Sequence, residues 1–133
     1  MPNHFHLQLE QVEDDGISEF MRALSNAYTG YYNNRYERVG SLFQGKFKAA
    51  ELHSEPYYLY LSKYIHENPK PLGIPPAKYD YSSCRFYVTE QDAPSWLATN
   101  IIKHAIGGAE QYRIFLTYDS KLNEENLEYA KID

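Results

Sequence analysis

The chain has 133 residues, enough for one domain, or for one domain with a small helical appendage, and enough to bury a core. A single cysteine, Cys84, excludes a disulfide framework and a cysteine-based zinc finger and points to a reducing cytoplasm. A formal charge of -5 argues against a partner that demands positive charge everywhere, and no apolar run approaches the roughly 20 residues that span a bilayer.

The charge is unevenly spread. Acids gather in residues 10–15 and 119–133, while Arg22, Arg35, Arg38, Lys46 and Lys48 lie between them with few acids to oppose them. Fourteen tyrosines serve mostly as amphipathic filler, but any exposed ring among them is also a platform on which a base can stack.

Taken in chain order, residues 4–9 (HFHLQL) alternate polar and apolar and predict a half-buried strand with Phe5, Leu7 and Leu9 facing a core and His4, His6 and Gln8 on the opposite face. The acidic EDDG is a turn. Apolar residues then recur at three and four from Ile17 to Tyr31, which predicts a helix over residues 17–33. LFQGKFKAAEL alternates around Gly45 and suits a second strand with a bulge. Ser54 is placed as an N-cap and Pro69 as a stop, so the segment between them reads as a helix. NPKPLGIPP is a rigid loop, YDYSSCRFY a compact turn or short helix, and three further helical pieces are expected at residues 94–105, 110–117 and 122–131.

Two imidazoles at i and i+2 of a strand point the same way, as two neighbouring ligands of one divalent metal must, although such pairs also arise from surface polarity alone. On the helix after Ser54, Tyr64 and Asn68 are four apart and share a face. His66 lies about 200° round that helix from both and points away from them. His53 and His104 read as surface or hydrogen-bonded histidines.

The segments MPNHFHLQLE, ISEFMRALSNAYTGYYNNRYERVGSLFQGKFKA, YLSKYIHENP and YDYSSCRFY, in that order and at these separations, resemble the single-tyrosine HUH transposases of insertion sequences, most closely the REP-associated tyrosine transposases. The resemblance covers roughly the first two thirds of the chain. It implies an α+β, ferredoxin-like HUH nuclease sheet with packed helices in residues 1–90 and a helical C-terminal extension in residues 91–133. It also implies a metal-dependent nuclease and strand transferase acting on single-stranded or hairpin DNA. His4 and His6 match the family's metal-binding pair, Tyr64 its nucleophile, and Asn68 the position of its third ligand. Two imidazoles and an amide oxygen leave coordination positions open and suit Mn2+ better than Mg2+, with cellular supply deciding between them. Tyrosine attack would leave a 5′-phosphotyrosine and a free 3′-hydroxyl. A free phenol titrates near about 10, so a base or the metal's field must help to remove its proton. Arg22, Arg35, Arg38, Lys46 and Lys48 would contact phosphates, with Gln44 and Tyr31 or Tyr32 against bases.

Two departures from the family pattern set further expectations. Family members carry a strand, a helix and a strand ahead of the HUH strand, whereas His4 follows Met1 closely here, so the expected sheet is short of that unit and leaves open edges. A homodimer or strand-exchanged assembly, or a truncated product of a longer reading frame, is expected from this. Pro71 stands where relatives carry an arginine, which removes a phosphate contact. The alternative functions are a catalytically inactive DNA-binding remnant of such a transposase and, more remotely, an unrelated metal-binding hydrolase built on the His-x-His pair.

Overall fold

A computed structural model describes residue 1 and residues 3–118. The helix expected at residues 122–131 lies outside that range. The described chain forms α1 (Gly16–Arg35), α2 (Glu55–Glu67), two 3-10 turns (Lys70–Leu72 and Pro76–Lys78), α3 (Cys84–Tyr87), α4 (Asn100–Ile106) and α5 (Ala109–Thr117). It divides into two units, one of Met1–Gln8 with the chain from Glu51 onward, the other Leu9–Ala50.

No strand occurs among the described residues, so the ferredoxin-like sheet expected from the resemblance is not formed by them. Both segments read as strands are irregular. A strand exists only as part of a ladder, and period-2 alternation describes an unpaired extended arm equally well. Phe5, Leu7 and Leu9, expected to face a core, keep 45%, 45% and 40% of their surface exposed. What ties the arm down is a side-chain bond, Gln8 Nε2 donating to the Tyr58 carbonyl at 3.2 Å. At the head of the second segment the preceding residue, Ser41, donates from its Oγ to the Phe43 carbonyl at 2.7 Å. That local bond holds a bend where a ladder was expected.

In the Leu9–Ala50 unit, α1 begins directly after Asp15, which takes a left-handed conformation with φ 58° that short polar side chains tolerate. Glu19 in its first turn and Arg35 in its last both suit the helix dipole. It ends in a Schellman-type turn: the Arg38 N–H donates to the Asn33 carbonyl at 2.9 Å across Glu37, which has φ 51°. Met21 is the only residue of α1 that is buried.

In the other unit, α2 packs against α4, α5 and the second 3-10 turn, and α3 packs against α5. The core is Cys84, Tyr87, Val88, Ile102 and Tyr112, flanked by Tyr58, Leu59, Leu97, Ile106, Phe115 and Leu116. Residues on both sides of position 90 therefore share one core. Ser54 holds the N-cap position of α2 with extended backbone, but its hydroxyl makes no capping bond; its carbonyl receives the Tyr57 and Tyr58 N–H groups at 3.1 and 3.3 Å. Pro69, which lacks the N–H that a further turn needs, ends the helix.

Candidate functional site

The site is built around the two faces of α2. On one face Ser62, Lys63 and His66 are buried polar residues at positions where an amphipathic helix ordinarily carries apolar ones. Each is satisfied. Ser62 Oγ donates to the Leu59 carbonyl at 2.7 Å and lies 3.0 Å from Tyr112 Oη, which lies 2.7 Å from His66 Nδ1, while His66 Nε2 lies 2.9 Å from Ser83 Oγ. One proton assignment satisfies the whole chain: Ser83 donates to His66 Nε2, His66 Nδ1–H donates to Tyr112, and Tyr112 donates to Ser62. Burial lowers the His66 pKa to about 4, which keeps the imidazole neutral as this assignment needs, and burial pushes the Tyr112 phenol up.

Lys63 secures the same face. Its ammonium donates to the Phe115 carbonyl at 2.9 Å and to the Tyr118 carbonyl, sits 5.2 Å from the centre of the Phe115 ring, and lies 3.9 Å from Glu67. A cation on the last carbonyls of α5 is favourable both as a hydrogen bond and against the negative end of the helix dipole.

The opposite face carries Tyr64 and Asn68. Tyr64 meets the N-terminal arm: its ring centre lies 5.7 Å from that of His6 in a T-shaped arrangement, and the His6 ring lies 5.1 Å from that of His4. His4, His6 and Tyr64 thus gather in one unit, although they come from its two separate segments, Met1–Gln8 and the chain from Glu51 onward. His4 Nδ1 lies 2.8 Å from Asn3 Oδ1. An amide oxygen only accepts, so in the neutral imidazole Nδ1 carries the proton and Nε2 the lone pair. That Nε2 is buried and has no hydrogen-bond partner among the described residues.

Asn68 caps α2. Its backbone N–H and its Nδ2 both donate to the Tyr64 carbonyl, at 3.2 and 3.1 Å. It keeps helical angles immediately before Pro69, a combination that proline disfavours, and the doubled bond to Tyr64 holds it there. Those bonds use the nitrogens and leave the carboxamide oxygen as the donor atom that a cation could take. No group of three His, Cys, Asp or Glu residues gathers among the described residues. No Cys, Asp or Glu therefore joins His4 and His6 as a third metal-holding residue among the described residues, and the contacts of Asn68 run to the Tyr64 carbonyl.

Arg22, Arg35, Arg38, Gln44, Lys46 and Lys48 all belong to the other unit and are all exposed. The Arg38 guanidinium lies 5.6 Å from the centre of the Tyr32 ring and that of Arg35 5.8 Å from that of Tyr36. Lys46 lines an open groove with Ser25, Thr29 and Phe43. His53 is exposed, 3.9 Å from Glu51, and His104 is exposed as well.

The anchoring residues Ser62, Lys63, His66 and Tyr112 do not appear among the sequence candidates. A signal for them existed, since polar residues at 62, 63 and 66 interrupt the apolar stripe that begins at Leu59. Comparison with protein-family models, curated proteins and solved structures finds no match for the chain.

Proposed function

We propose that the chain is a metal-dependent nuclease and strand transferase of single-stranded DNA, with Tyr64 as nucleophile and His4, His6 and Asn68 as ligands of a divalent cation, Mg2+ or Mn2+. The observation that carries this reading is the gathering of the His4, His6 and Tyr64 rings at successive distances of 5.1 and 5.7 Å. The residues suit the ion. A buried imidazole nitrogen that has no hydrogen-bond partner among the described residues, as His4 Nε2 has none, is what a cation would take, and the bond from His4 Nδ1 to Asn3 is the kind of outer contact that orients a ligating histidine.

When bound, such a cation, held by His4, His6 and Asn68, would supply Lewis-acid stabilisation of the charge that builds around phosphorus. The Tyr64 oxygen attacks that phosphorus in line while its proton passes to a base. The bond from phosphorus to the 3′ oxygen breaks, the 3′ oxygen takes up a proton and leaves as a hydroxyl, and the DNA 5′ end stays on Tyr64 as a phosphodiester. A second 3′-hydroxyl then reverses the step to join a new strand, so no water is consumed. α2 is suited to this work because its opposite face is pinned at Ser62, Lys63 and His66, which limits how far the Tyr64 ring can drift.

Exposed Arg22, Arg35, Arg38, Lys46 and Lys48 supply phosphate contacts in this reading, and Gln44 a base contact. The partner is single-stranded or hairpin DNA in the cytoplasm. A homodimer or strand-exchanged assembly is the working form in this reading, and the exposed apolar rings and chains of Phe5 and Leu7 are surface that such an assembly would cover. No described helix is long and apolar enough to cross a membrane.

The test is to incubate the protein with hairpin-bearing single-stranded DNA and Mn2+ or Mg2+ and to look for an adduct that survives SDS. Wild type should form it, and Tyr64→Phe and His6→Ala should not. Absence of an adduct with wild type would sink the enzyme reading and leave an inactive DNA-binding remnant. An adduct with Tyr64→Phe would show that the nucleophile is misassigned.

A further inference from the structure

We propose that the tyrosine-rich C-terminal half of α1, with the arginine that follows it, is a base-stacking surface for single-stranded DNA that needs neither a metal nor Tyr64. It rests on the reading above for the class of partner, but it uses other residues in the other unit. Tyr28, Tyr31, Tyr32 and Tyr36 recur at three and four and so form one ridge along about 12 Å of helix axis. Tyr28, Tyr31 and Tyr36 keep 48%, 60% and 55% of their surface exposed. The rings are ordered by one another: Tyr32 and Tyr36 lie 4.5 Å apart between centres, Tyr28 and Tyr31 6.4 Å, and Tyr28 and Phe43 6.3 Å. A ridge that already holds its rings loses little rotamer freedom when a partner arrives.

Charge identifies that partner. Residues 20–50 carry five cations, Arg22, Arg35, Arg38, Lys46 and Lys48, against a single acid, Glu37. Two of the cations lie on the ridge itself, Arg38 at 5.6 Å from the Tyr32 ring centre and Arg35 at 5.8 Å from that of Tyr36. The Schellman-type turn bonding the Arg38 N–H to Asn33 turns the chain back at this point. An apolar protein partner would have no use for these guanidinium groups, and a duplex would hide the base faces that exposed tyrosine rings accept. A single strand offers unstacked bases to Tyr28 and Tyr31 and phosphates to Arg35 and Arg38, the combination that sequence-tolerant single-strand binders use.

The experiment is fluorescence anisotropy in EDTA with the full chain and two labelled oligomers, a dT 12-mer and a 12-unit abasic strand of the same backbone. Wild type should bind the dT 12-mer more tightly than the abasic strand. Tyr31→Ala should weaken dT binding about fivefold to a hundredfold and leave abasic binding unchanged, whereas Tyr31→Phe should keep wild-type affinity. Arg38→Ala should weaken both and lower the slope of affinity against salt by about one. Equal affinity of wild type for the two strands overturns the proposal, as does Tyr31→Ala binding the dT 12-mer like wild type, or Tyr31→Phe binding it as weakly as Tyr31→Ala. Tyr64→Phe should bind like wild type here, so a failed adduct assay with stacking retained removes the enzyme reading alone, and a retained adduct without stacking removes this one alone.

Discussion

The helices α1 and α2 put polar and aromatic side chains to opposite use. Across its 13 residues α2 buries three polar groups, Ser62, Lys63 and His66, and gives each a partner. Across its 20 residues α1 buries Met21 alone and leaves Tyr28 and Tyr31 in the open. Buried polar groups that are satisfied fix one arrangement of their surroundings, and removing one partner strands the other at a cost well above the net worth of the bond. Exposed rings contribute little to holding a helix but stay available to a ligand. Under the function proposed above, the contrast gives α2, which carries Tyr64, the part of positioning and α1 that of contact.

Tyr112→Ala should break the comparison hardest. It leaves a cavity in the core and deprives Ser62 and His66 of a shared partner, so urea unfolding should show a loss of about 3–5 kcal/mol. A loss below about 1 kcal/mol would mean that α2 is not held from this side. Acid should act through the same network. The folded His66 pKa is lowered from 6.5 to about 4, so between those values the unfolded chain binds the extra proton. The contribution of the neutral, buried His66 is therefore fully present above about pH 6.5, falls as pH drops toward 4 and is spent below it, about 3 kcal/mol in all. Chemical denaturation in steps across that window should show the fall in wild type and a flatter profile in His66→Gln.

Lys63→Met keeps an unbranched apolar stem and removes the donor to the Phe115 and Tyr118 carbonyls, which should cost about 1–3 kcal/mol by thermal or urea melting. A neutral result would remove Lys63 from the anchoring set. The smallest effect is expected in the turn that follows α1. Glu37 holds a left-handed conformation at φ 51° with nothing to gain from its Cβ, so Glu37→Gly should stabilise the protein by about 1 kcal/mol. A destabilised Glu37→Gly would show that the turn is held by its side chain.

How much of this was legible in the sequence follows from the range of the interactions involved. The helices around Ile17–Tyr31 and after Ser54 are written in local spacing, the Pro69 stop is a backbone property, and both lie where expected. The HFHLQL strand was misjudged because alternation reports which way side chains point in an extended segment, and it is silent about whether a second strand lies alongside. The nearness of His6 to Tyr64 came only through the resemblance, since residues so far apart in sequence carry no local sign of meeting. The bond between His66 and Tyr112 was likewise invisible as a pair. Half of it was nonetheless readable, because a lysine, a serine and a histidine on the expected core face of an amphipathic helix require buried partners somewhere in the chain.

The central claim is that His4 and His6 hold one cation beside Tyr64, and titration of Mn2+ followed by loss of the free-ion EPR signal tests it most directly. The account predicts one bound Mn2+ per chain for wild type, affinity weakened by at least about tenfold in His4→Ala, and affinity unchanged in Tyr64→Phe. Equal Mn2+ affinity in wild type and His4→Ala would contradict it.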